Sequence, residues 1–183
     1  MERPMDPYTL AIPTYVQMLR GLSAQLSKGE AFAADNGLST DDLLTARLAP
    51  DMFPLSTQVR FVCTQASDLL RHLTGADSFA PAEDAADFEG LRAQLADAVA
   101  RLEATPASAF DGAAQRKVEL KLPNGVVFDM TGEQFVRDWA FAQFYFHATT
   151  AYAILRHKGV PLGKPDWVSH MFAYIRPGTF PGG

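Results

Sequence analysis

The chain has 183 residues, of which 16 are Lys or Arg and 21 Asp or Glu, for a net charge of −5. That length sustains one sizeable domain whose core needs no covalent staples. The acidic balance disfavours a nucleic-acid binder, which needs a basic face, and argues against an anionic membrane surface. A single cysteine, Cys63, excludes an intramolecular disulfide and points to a reducing cytoplasm.

Taken in order, the N-terminal MERPMDPYTL has neither a long apolar core nor a cleavage site, so no signal peptide is expected. Residues 9–28 read as a first helix, with Ile12, Tyr15, Val16, Leu19, Leu22 and Leu26 at helical spacing. Pro13 fits only if it lies in the first turn. A short helical extension after Gly29 ends at Asn36-Gly37, a turn signal. Ser39 with Asp42 opens a brief helix through Arg47. Pro50 and Pro54 bracket a non-helical link. Pro54 then suits the first position of a second long helix over 54–73, closed by Gly75. In that helix Leu55, Val59, Val62, Ala66, Leu69 and Leu73 form the buried stripe, and Cys63 reads as an inert packing residue.

Residues 76–85 read as a loop and 86–104 as a third long helix, with Phe88, Leu91, Leu95, Val99 and Leu102 on one face. The stretch 115–130 alternates Val118, Leu120 and Leu122 with charged residues around Asn124-Gly125, which predicts a two-stranded ribbon. An isolated hairpin is marginal in water, so this one is expected to lie against the helices.

Met130 to Gly159 reads as one long central helix, roughly 40 Å at about 1.5 Å per residue. Thr131 and Gln134 form a capping box, with Met130 and Phe135 placed as its hydrophobic staple. Arg156, His157 and Lys158 meet the negative end of the dipole, and Gly159 suits a left-handed exit. Trp139 to Leu155 carries no formal charge, which marks a helix enclosed by others. It does not mark a membrane span: the run falls short of roughly 20 residues and contains Gln143, His147, Thr149 and Thr150. Residues 160–183, and above all 168–183, read as a loose tail, with Trp167, Met171, Phe172 and Tyr174 as its anchors to the domain or to a second subunit. The fold class is therefore all-α: a single domain over 1–183, a four-helix bundle with a β-hairpin inserted between the third and fourth helices.

Chemistry-bearing residues are few. Gln143 and His147, four apart, share a helix face. Paired histidines at that spacing chelate metals, but glutamine is a poor ligand for zinc or nickel. Gln58 is the next inward polar residue, and Asp51 in the preceding link offers a carboxylate. Tyr145 stands among Phe141, Phe144 and Phe146, an aromatic wall of the kind that lines a small-molecule pocket or simply fills a core. His147 bonded to Gln143, Tyr145 or a backbone carbonyl as a satisfied core residue is the plainer alternative. His72 and His157 sit in last turns, where helix-end electrostatics accounts for them. The chain contains no histidine cluster, CxxC, P-loop, dinucleotide fingerprint or nucleophile elbow.

Three segments resemble an uncharacterised bacterial family within the DinB/YfiT-like superfamily of four-helix bundles. They are Thr45-Ala46-Arg47-Leu48-Ala49-Pro50-Asp51-Met52-Phe53-Pro54-Leu55, the run FYFHATTAYAILRHKGVPLGKPDW over 144–167, and Phe110-Asp111-Gly112. The resemblance spans nearly the whole chain and implies the same fold. It also implies a place for a divalent metal held by three histidines, one on helix two and two on helix four, and activities such as thiol-dependent transfer or isomerisation. On that pattern His147 matches the second of the paired histidines, Gln143 the first, and Gln58 lies near the helix-two position. One ligand of three is kept, and two amides in place of imidazoles cost most of the affinity for a borderline metal.

The expectation is a binding or interaction protein with a degenerate metal site and no cofactor, its ligand pocket formed by Gln58, Gln143, His147, Tyr145 and Asp51. It is expected to be a homodimer on the strength of the resemblance and the aromatic-rich helix and tail. The alternative is an enzyme of the transferase, isomerase or hydrolase kind. It would use nickel, zinc or iron at His147 with carboxylate or water completing the shell, or, without metal, His147 as general base.

Overall fold

The computed structural model describes residues 6–179. The first five residues of the stretch read for a signal peptide, and the last four of the expected tail, lie outside them.

Four long helices carry the fold. α1, Pro7–Asp35, starts on Asp6, whose carboxylate accepts from the Tyr8 amide. It runs unbroken through Pro13, beyond the first turn where the sequence alone would admit a proline. The ring lies on the exposed face, where the helical carbonyl it leaves without a donor, that of Thr9, reaches water. α2, Thr40–Leu44, is capped by Ser39 and ends short of the expected Arg47. α3, Leu55–Thr74, has Pro54 as its N-cap and stops at Gly75, whose φ of 79° is the left-handed exit. α4, Phe88–Ala104, is capped by Asp87.

The loop between α3 and α4 is tied down along its length. Asp84 bonds both Thr57 and Arg60, and Ser67 receives the Phe79 amide. The hairpin pairs β1, Lys117–Lys121, antiparallel with β2, Val127–Thr131, with Val118 opposite Met130. Val118 and Leu120 are buried, whereas Val126, Val127 and Phe128 stay exposed. The ribbon therefore packs through one strand.

The central rod begins where β2 ends, so Met130 belongs to the strand and not to the helix. Thr131 and Gln134 form the reciprocal capping box. From there α5, Gly132–Gln134, continues through a π-helical segment, Phe135–Ala140, into α6, Phe141–His157, without a break. Gly132 is held by a close approach: a Cβ there would meet the Ala113 carbonyl oxygen at 1.9 Å. Its amide instead donates to Arg116 O. At the far end Gly159 adopts φ 93°, and the Val160 amide reaches back to Leu155 O, closing the helix terminus.

The long helices pack in a ring, α1 on α4, α4 on α3, α3 on α6 and α6 back on α1. Inside lie Tyr15, Leu19, Leu22, Leu69, Leu73, Phe88, Leu91, Phe135 and Phe144, all buried. Cys63 is buried there too, and burial first, with Asp97 second, pushes its thiol up to about 12, far from a reactive thiolate. Beyond α6, α7, Lys164–Trp167, and a 3₁₀ turn, Ser169–Tyr174, lie along α1. Gln25 donates to Asp166 O, and Lys28 pairs with the Asp166 carboxylate. Trp167 does anchor this segment, edge-on to Tyr152, whereas Met171, Phe172 and Tyr174 remain exposed. Among the described residues no helix is long and apolar enough to cross a membrane.

Tyr15 is the deepest polar side chain in the ring of helices. Its ring stacks on Phe144 at 4.0 Å, and its hydroxyl donates to Ala140 O at 3.0 Å. Burial drives its pKa well above the ordinary phenol value, so it stays a donor. Tyr15→Phe is expected to cost about 1–2 kcal/mol in urea unfolding with the fold retained; no loss would mean that the phenol contributes packing alone.

Candidate functional site

Gln58 lies one turn into α3 and is only 2% exposed. Its amide group is oriented by the chain just before the helix, because Gln58 Nε2 donates to the Phe53 carbonyl at 3.2 Å. That leaves Oε1 facing α6, where it accepts from His147 Nδ1 at 2.8 Å. A carboxamide oxygen can only accept, so the imidazole proton sits on Nδ1 and Nε2 keeps its lone pair. Burial lowers the His147 pKa from 6.5 to about 4, so the ring is neutral near pH 7.

Aromatic rings surround the half-buried imidazole. Phe61 is 4.9 Å away and Phe146 5.3 Å, and Phe53 meets Phe61 edge-on at 5.1 Å. Phe53 and Phe146 are 56% and 58% exposed, unusually high for large apolar side chains. The Arg60 guanidinium lies over the Phe61 ring at 4.7 Å and pairs with Asp84 at 2.6 Å, so its charge is already met. Phe61 stands three residues beyond Gln58, a spacing the sequence alone reveals. Arg60 with Asp84, and the use of the Phe53 carbonyl, depend on loop paths and were missed.

The structure brings Gln58 and His147 together but not the other expected residues. Gln143 is half-buried one turn before His147 and forms no hydrogen bond among the described residues. Tyr145 turns elsewhere: it contacts Phe141 and Phe144 and lines a neighbouring groove of about 470 Å³ with Leu48, Phe146 and Thr149. Burial raises its phenol pKa. Asp51 is exposed in the turn before α3. The imidazole's partner is therefore not Gln143, Tyr145 or a backbone carbonyl.

Residues 8–168 match the family described as Domain of unknown function (DUF1993). The chain belongs to the DUF1993 family. Among solved structures it is similar to that of a DinB family member protein from Shewanella denitrificans. The two are 35% identical, the match covers 95% of each chain, and the TM-score is 0.79. No curated protein matches. The all-α bundle with its inserted hairpin is thus that of a DUF1993 protein within the DinB-like superfamily.

The donor chemistry does not suit the three-histidine metal that the superfamily resemblance implies. The positions hold one imidazole and two amides, and one of those amides is committed to the imidazole by its oxygen. Among the described residues no three His, Cys, Asp or Glu side chains are placed to hold a metal ion.

His72 is also held neutral. Burial first, and the adjacent Arg71 second, lower its pKa, and Arg71 Nη2 donates to its Nε2 at 2.8 Å. Protonating His72 or His147 therefore favours the unfolded chain. Their contribution to stability is complete above pH ~6.5 and declines as the pH falls toward 4. His147→Ala is expected to cost about 1–3 kcal/mol by stranding the buried Gln58 oxygen, and to weaken that pH dependence; Gln58→Leu combined with His147→Phe is expected to recover most of the loss. Urea titrations between pH 4 and 7 measure both effects.

Proposed function

We propose that this DUF1993 bundle is a binding protein that takes a small, largely apolar molecule carrying an O–H or N–H group at the His147 face, with no metal. The observation that carries the reading is the 2.8 Å hydrogen bond from His147 Nδ1 to Gln58 Oε1. It fixes a neutral imidazole with its Nε2 lone pair free to accept, inside a collar of Phe53, Phe61 and Phe146. Apolar walls around a few fixed polar groups are the common makeup of small-molecule sites.

The same bond argues against His147 as a general base. A carboxylate partner would stabilise the imidazolium; an amide cannot. A pKa of about 4 also leaves the ring a weak base at neutral pH. The enzymatic alternative keeps only the free Nε2 in its favour. We further infer a cytoplasmic protein, from the lone cysteine, and a homodimer, from the superfamily resemblance.

Untagged protein is expected to contain nickel, zinc and iron far below stoichiometry by elemental analysis. A stoichiometric metal that disappears in His147→Ala would replace this reading with the metalloenzyme one. Light scattering at micromolar concentration is expected to give twice the 20.0 kDa chain mass; the mass of a single chain would remove the dimer.

A further inference from the structure

A second cleft lies on the other side of the bundle and shares no residue with the Gln58–His147 pair. It opens between α1, the end of α4 and the 3₁₀ turn after α7, with a volume of about 770 Å³. Small-molecule pockets commonly span about 300–1,000 Å³. One wall is aliphatic, made by Ile12, Pro13, Val16 and Ala173. The polar side is made by Tyr8, Gln17, Ser169 and His170, with Arg20 and Glu103 at one end.

The polar groups are the informative part. His170 Nδ1 is buried and has no hydrogen-bond partner among the described residues. Buried ring nitrogens are nearly always bonded, so this one marks a place that a ligand group can complete. Arg20 and Glu103 hold each other through two contacts of 3.0 Å, so the charges at that end cancel. Neither an anion nor a cation is favoured there. The remaining polar groups, a phenol, a carboxamide, a hydroxyl and an imidazole, are neutral and can donate or accept.

We propose that this cleft is a second binding site, for a neutral small molecule with an apolar body and hydroxyl or amide groups. The apolar body lies against Ile12, Val16 and Ala173, and a polar group engages His170 Nδ1. The cleft sits beneath a segment that is itself fastened to α1 through Asp166, bonded to Lys28 and Gln25. Its polar wall is therefore held in place rather than carried on a free end.

Benzyl alcohol, phenol and benzamide at millimolar concentration are suitable probes, followed by NMR on the full-length protein with its histidine ring nitrogens labelled. At least one probe is expected to bind and shift the His170 ring signals. Ala173→Trp, which fills the cleft from an exposed position, and His170→Ala are each expected to weaken that binding by at least about tenfold. His147→Ala is expected to leave it unchanged, which separates this site from the one proposed above. Absence of a His170 response to all three probes in folded protein would overturn the proposal, as would undiminished binding to Ala173→Trp. Binding lost only in His147→Ala would place the ligand at the other face and likewise overturn it.

Discussion

A phenol with nowhere to go but one carbonyl sets the geometry of this bundle. Tyr15 is fully enclosed, and its hydroxyl must find a partner or destabilise the fold. The partner is Ala140 O, the last residue of the π segment, and the same ring lies flat on Phe144. One side chain of α1 thus fixes both the axial position and the rotation of the central rod just before it enters α6. The face that α6 turns toward α3 follows from that seat, and His147 is on it.

The chemistry of the pair on α3 and α6 follows from which partner the imidazole was given. An amide oxygen orders the ring and selects its tautomer without stabilising positive charge. Burial then keeps the ring neutral across the physiological range. The fold retains the inward geometry of a superfamily that offers imidazoles at three positions, yet presents a single acceptor nitrogen among aromatic rings. Such a surface discriminates by hydrogen-bond donation and by shape.

Much of this was legible in the residues. The apolar stripes of α3 and α4 placed both helices to within a residue or two, because a period near 3.6 has one reading at that length. Thr131, Gln134, Gly75 and Gly159 carried local chemistry that needs no tertiary context, and each did what its type dictates. Gln58 emerged from the superfamily pattern as the group across from His147. Tyr145 was grouped with His147 by proximity in sequence, although two residues along a helix turn a side chain to another face. The contributions of Phe53, Arg60 and Asp84 depend on the path of loops, which periodicity does not encode. The helical stretch through Pro13 was misjudged because the proline's cost is small where water can reach the carbonyl it leaves open. Met130 was lost to the strand because the ladder continues to the residue that caps the helix.

The π segment over Phe135–Ala140 has a bearing on how this family can vary. Each α-helical residue advances about 100° around the axis, and a turn bonded from i to i+5 accommodates one residue more than its neighbours. Removing a single residue from that stretch would restore uniform winding and swing everything downstream by about 100° relative to the capped start. Phe144 would leave Tyr15, and some other side chain would be offered to Gln58. What α3 sees is thus a matter of counting upstream, so an insertion or deletion there would alter specificity more than most substitutions at the face itself.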